Sequence, residues 1–159
     1  MEIYLKNSEK TYRSIGWIIH LVAWGIVFCL PFFFTGRNME EVTTERYVRF
    51  IIVPLSFMAL FYLDYFLLIP RYIFVQKTGK FLLVNAVLII LTMIVVHALM
   101  QLLPPLEMEM PPRPMPDATE ITLFFLRNAM MYALVAGLSV AIRITARWYE
   151  QESTRKELE

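Results

Sequence analysis

The chain has 159 residues, 58% of them hydrophobic and only 18% charged, against an apolar share of roughly 45–50% in soluble domains, which argues against a water-soluble globule. Fifteen Lys and Arg face fourteen Asp and Glu, a balance that gives no case for nucleic-acid binding or for a basic peripheral membrane protein. A single cysteine, Cys29, excludes an intramolecular disulfide framework and a cysteine zinc site. The chain also lacks a Gly-Lys-Ser/Thr phosphate loop, His-Glu-x-x-His, Gly-x-Ser-x-Gly and Gly-x-Gly-x-x-Gly, so no catalytic residue and no cofactor is expected within it.

A helix rising 1.5 Å per residue needs about 20 apolar residues to cross a hydrocarbon core about 30 Å thick. Four stretches meet this: residues 14–34, 50–69, 81–103 and 121–144. Each is apolar around its whole circumference, as a helix surrounded by lipid or other helices must be. The first is too long for a cleaved signal peptide and lacks a small-x-small cleavage site. Thr35, Gly36, Arg37 and Asn38 close it, residues 70–79 separate the second span from the third, and the Pro-rich run 104–116 separates the third from the fourth. Beyond the fourth span, residues 144–159 contain neither Gly nor Pro, and Glu152 and Lys156 form an i,i+4 pair in the favourable order. Ile144, Trp148, Gln151, Arg155 and Leu158 repeat at 4,3,4,3 spacing, a weak coiled-coil seam. The expected fold is all-α: one membrane domain of four helices over 1–146, with 147–159 beginning a rigid helix that continues into a longer protein.

Orientation follows from the Lys and Arg that flank the spans. Ten lie on one side: Lys6, Lys10, Arg13, Arg71, Lys77, Lys80, Arg143, Arg147, Arg155 and Lys156. Four lie on the other, Arg37, Arg46, Arg49 and Arg113, diluted by seven acids. Both termini are therefore expected in the cytoplasm.

Polar residues at membrane depth usually face a bundle interior. Asp64 and Arg127 suggest an ion pair, but each lies about 8–9 Å inside opposite faces of the bilayer, which separates them. Depth instead groups His20, Asp64 and Asn85 in an inner layer. It groups His97, Arg127 and Asn128 in an outer layer, with Gln101 one turn nearer the surface. These residues can be interhelical hydrogen-bonding glue. Alternatively His97, Arg127, Asn128 and Gln101 form an externally open anion or headgroup site, since Arg beside a donor amide suits carboxylate or phosphate. The thioethers of Met108, Met110 and Met115 offer a soft-metal alternative for the outer loop, outweighed by the use of Met as filler throughout the chain, so no metal site is expected. The small residues Ala133, Ala136, Gly137 and Ala141 mark a face of the fourth helix for close helix contact.

The stretch Tyr62-Leu-Asp-Tyr-Phe-Leu-Leu-Ile-Pro-Arg-Tyr72 with its basic loop, and Arg147-Trp-Tyr-Glu150 running into Arg155-Lys-Glu-Leu158, resemble the N-terminal membrane region of LytS/YehU-like sensor histidine kinases, the four-span type common in Bacteroidetes. The resemblance implies an input domain of the bacterial inner membrane that works as a homodimer. It implies a following kinase domain with a Pro-His-Phe-Leu-Phe-Asn type motif, using ATP and Mg, and a LytTR-type response regulator as partner. His20 and His97 lack that motif, so neither takes the phosphoacceptor role. Asp64 stands where relatives often have Asn. The alternative is a standalone four-span transporter or channel subunit, which would break its helices near mid-membrane; only Pro54 and Gly137 could break a helix here, and Pro54 is near the outer end.

Overall fold

A computed structural model describes residues 18–32, 43–104 and 117–158. The described residues are helical apart from short connections, and no strand occurs among them. We number the helices α1, Ile18–Phe32; α2, Thr44–Leu63, continued without a break by a π-helical segment, Asp64–Ile73; α3, Thr78–Leu102; and α4, Ala118–Leu158. Three helices are long and apolar enough to cross a bilayer, namely Thr44–Ile73, Thr78–Leu102 and α4. The protein is an all-α membrane protein. α1, at fifteen residues, covers about 22 Å, and the outer ends of the predicted span 14–34 lie outside the described residues.

The chain divides into two compact units, Met1–Pro54 and Leu55–Glu159. In the first, Thr43 caps α2: its hydroxyl accepts from Arg46 N at 3.4 Å and its carbonyl from Tyr47 N at 3.0 Å, which serves amides that have no partner inside the helix. The Tyr47 ring packs against Phe32 with centroids 5.2 Å apart.

In the second unit the π-helical segment, α3 and α4 pack against one another in every pairing. The buried residues define the seam. The α2 end and π-helical segment bury Leu60, Phe61, Asp64 and Ile69; α3 buries Phe81 and Asn85; α4 buries Tyr132, Ala136 and Ser139. On α4 these recur at four and three residues, so only one narrow stripe of an all-round apolar helix faces its neighbours. Much of the remaining apolar surface is exposed, including Leu82, Leu83, Ile90, Met130 and Leu134, as a helix bathed in lipid allows.

The helix ends differ from the approximate span limits read from the sequence. The helix that contains the second span, about 50–69, runs over Thr44–Ile73, because neither Pro54 nor Pro70 ends it. Proline removes one backbone donor, and in an apolar segment the rest of the helix persists because no water is at hand to take the freed groups. The connection to α3 therefore shrinks from residues 70–79 to Phe74, Val75, Gln76 and Lys77. Gln76 makes the turn at φ 58°, with Lys77 N donating to Tyr72 O at 2.8 Å and Gln76 N to Ile73 O at 3.0 Å. This is a Schellman closure with glutamine where glycine is usual. α3 begins at Thr78, not 81, and ends at Leu102, not 103. α4 begins at Ala118, not 121, where Asp117 accepts from Ala118 N at 2.7 Å. α4 then runs through Gly137 to Leu158, and Lys156 and Glu152 close their i,i+4 salt bridge at 3.6 Å.

Candidate functional site

Among the described residues, the most enclosed polar groups meet at the junction where α2 becomes π-helical. Asp64, the first π-helical residue, and Ser139 on α4 are fully buried, and Asn85 on α3 is 4% exposed. π-helical turns are rare and recur at functional sites, since the extra residue re-aims side chains that a regular helix would place elsewhere. Asn85 Nδ2 donates to Asp64 Oδ1 at 2.7 Å. Ser139 Oγ lies 3.5 Å from Asp64 Oδ2 and donates to its own-helix carbonyl, Ala136 O, at 2.7 Å. Three helices thus contribute one side chain each to a carboxylate shut away from solvent.

Three further ties join α4 to the chain around Asp64. Toward the N-terminal end of α4, Tyr132 and Ser56 share a hydroxyl hydrogen bond of 2.7 Å, and the Tyr132 ring meets Phe57 edge-on at 4.8 Å. One turn beyond Ser139, the Arg143 guanidinium lies 4.8 Å over the Tyr65 ring, and one turn further Arg147 lies 3.9 Å over Phe74. Cations over aromatic faces are favourable where partly desolvated. Each arginine thereby fastens α4 to an aromatic ring on or just beyond the π-helical segment.

The structure brings Asp64 and Asn85 together. His20 sits half-buried on α1, in the other unit. The outer residues are not drawn into one cluster. Gln101 Nε2 and His97 Nε2 lie 3.0 Å apart along α3, Asn128 Nδ2 donates to Phe124 O within α4, and Arg127 stands 5.8 Å over Phe124 of its own helix. His97, Gln101 and Arg127 are exposed. One turn of helix satisfies each of these groups locally, so shared depth did not make them partners. Among the described residues no carboxylate lies within ion-pair distance of Arg127, and Asp64 takes its bonds from Asn85 and Ser139.

The four small residues of α4 differ in burial. Ala136 is buried in the seam, whereas Ala133, Gly137 and Ala141 are exposed, and a Cβ on Gly137 would meet nothing within 4 Å. The step from 136 to 137 turns about 100° around the helix, which carries Gly137 off the seam. Met108, Met110 and Met115 lie outside the described residues, and among those described no group of three or more His, Cys, Asp or Glu gathers to hold a metal.

Sequence reasoning passed over Ser139, Tyr132 and Ser56. The available signal was a hydroxyl inside an apolar span, which in lipid needs a partner. Its angle around the helix, which decides whether that partner is its own backbone or another helix, is not written in an all-round apolar sequence. No protein family, curated protein or solved structure matches this chain.

Proposed function

We propose that this chain is the membrane input and dimerisation region of a bacterial two-component sensor histidine kinase. It would sit in the inner membrane with both ends in the cytoplasm and relay an external or in-membrane event through α4 to a kinase domain outside these residues. ATP and Mg would serve that kinase domain, and a LytTR-type response regulator would be its partner. The reading rests on α4, which runs unbroken from an apolar half into a charged one over Ala118–Leu158. A helix without a hinge carries rotation or displacement from its packed part to its far end, as helix shifts do in signalling proteins. The seam at Tyr132, Ala136, Ser139 and Arg143 is the part on which an input would act.

The π-helical turn at Asp64 favours the other reading, a standalone transporter or channel subunit, since irregular helices beside buried polar groups build transport sites. The gene and its full-length product separate the two. The kinase reading expects a downstream Pro-His-Phe motif and autophosphorylation from ATP in proteoliposomes. A reading frame without a kinase domain, together with solute flux into the proteoliposomes, would overturn it.

A further inference from the structure

The Asp64 cluster holds more acceptors than donors. Asn85 Nδ2 serves Asp64 Oδ1 at 2.7 Å. The single Ser139 hydroxyl proton is shared between Ala136 O at 2.7 Å and Asp64 Oδ2 at 3.5 Å, so the carboxylate receives only the weaker part of it. Acceptor capacity is then left over at Asp64 Oδ2, at the lone pairs of Ser139 Oγ, and at Asn85 Oδ1, which is buried and makes no hydrogen bond. Turning the Asn85 amide over would set its oxygen against the carboxylate.

The charge is uncompensated as well. The π-helical segment contributes the exposed Arg71, α3 the exposed Lys80, and α4 Arg143, whose guanidinium lies over Tyr65 and whose Nε is buried without a partner. Among the described residues none of them is within ion-pair distance of Asp64. A lone carboxylate in an apolar interior is strongly disfavoured unless a cation or a proton joins it.

We infer that Asp64, Asn85 and Ser139 bind one small monovalent cation, Na+. Carboxylate, amide carbonyl and hydroxyl oxygens form a hard donor set that suits a hard cation. A single positive charge cancels Asp64, where a divalent ion would leave a net charge in the same dry site. The ion draws the π-helical segment, α3 and α4 onto one point, and so stabilises their packing whether or not a kinase follows.

The test is thermal unfolding of the purified chain in detergent, in sodium chloride and in N-methyl-D-glucamine chloride at equal ionic strength. At sodium ten times its Kd the midpoint is expected to rise by about 3–6 °C, saturating as a one-site isotherm. Asp64→Asn and Ser139→Ala each abolish the rise, and Ser139→Ala, which removes only an oxygen, carries the test if Asp64→Asn does not fold. Gln101→Leu, on the separate His97 pair, keeps it. Equal midpoints in the two salts overturn the assignment, as does a midpoint that follows pH alone, which would mark Asp64 as holding a proton. A sodium effect that survives in both site variants also overturns it, by placing the ion elsewhere.

Discussion

A hydrogen bond buried between apolar helices is worth as much as the alternatives left to its partners when it is broken, and the Asn85–Asp64 and Tyr132–Ser56 bonds of the second unit differ on this count. Replacing Asn85 by Leu leaves Asp64 Oδ1 buried with no donor, and unfolding in detergent is expected to show a loss of about 1–3 kcal/mol. Replacing Tyr132 by Phe breaks the bond to Ser56 but leaves a hydroxyl able to turn to its own helix, so the loss is expected near ~0.6 kcal/mol. Equal losses would show that Asp64 does not depend on Asn85. Gln76 is a third single-residue case. Its φ of 58° is costly for any residue with a Cβ, and Gln76→Gly is expected to raise stability by several tenths to about 1 kcal/mol, after allowing for the greater freedom of glycine in the unfolded chain.

At the scale of the element, the π-helical segment and α4 act together. Asp64, Tyr65 and Phe74 are presented on one side and met in turn by Ser139, Arg143 and Arg147, residues spaced four apart and so stacked on one face of α4. A double-mutant cycle of Arg147→Leu with Phe74→Leu is expected to give a coupling of about 0.5–1 kcal/mol, insensitive to moderate salt because the ring carries no net charge. A coupling near zero would mean that Arg147 packs there through its aliphatic stem alone. The existence of these helices was legible in hydropathy, and the absence of a stop after residue 144 foretold the continuous α4. The junctions were not legible. Pro70 and Gly79 read as punctuation, yet the turn is made at Gln76, because in an apolar segment the demand that the backbone bond to itself overrides the local preference of single residues.

At the scale of the whole molecule, α4 carries small residues on its exposed side. Ala133, Gly137 and Ala141 lie exposed at successive turns, and under the proposed dimer they admit a close approach of a second α4. Single cysteines at these three positions, in a chain carrying Cys29→Ser, are expected to crosslink in membranes, whereas cysteine at the buried Ala136 is not. Crosslinking at Ala136 alone, or at none of the four, would remove this face from the dimer.

The amino-acid sequence by itself determined that the protein is helical and belongs in a membrane. Apolar runs of that length have one way to satisfy their backbone in lipid, and no tertiary contact is needed to specify it. It also placed Asp64 and Asn85 at one depth, because depth is counted along the chain at a fixed rise per residue. Only the tertiary structure decided which polar groups at a given depth are partners. It joined Asp64 to Asn85 and Ser139 and left His97, Arg127 and Asn128 to their own helices. The deciding variable is each helix's rotation about its axis, and a helix apolar on every side carries no mark of it.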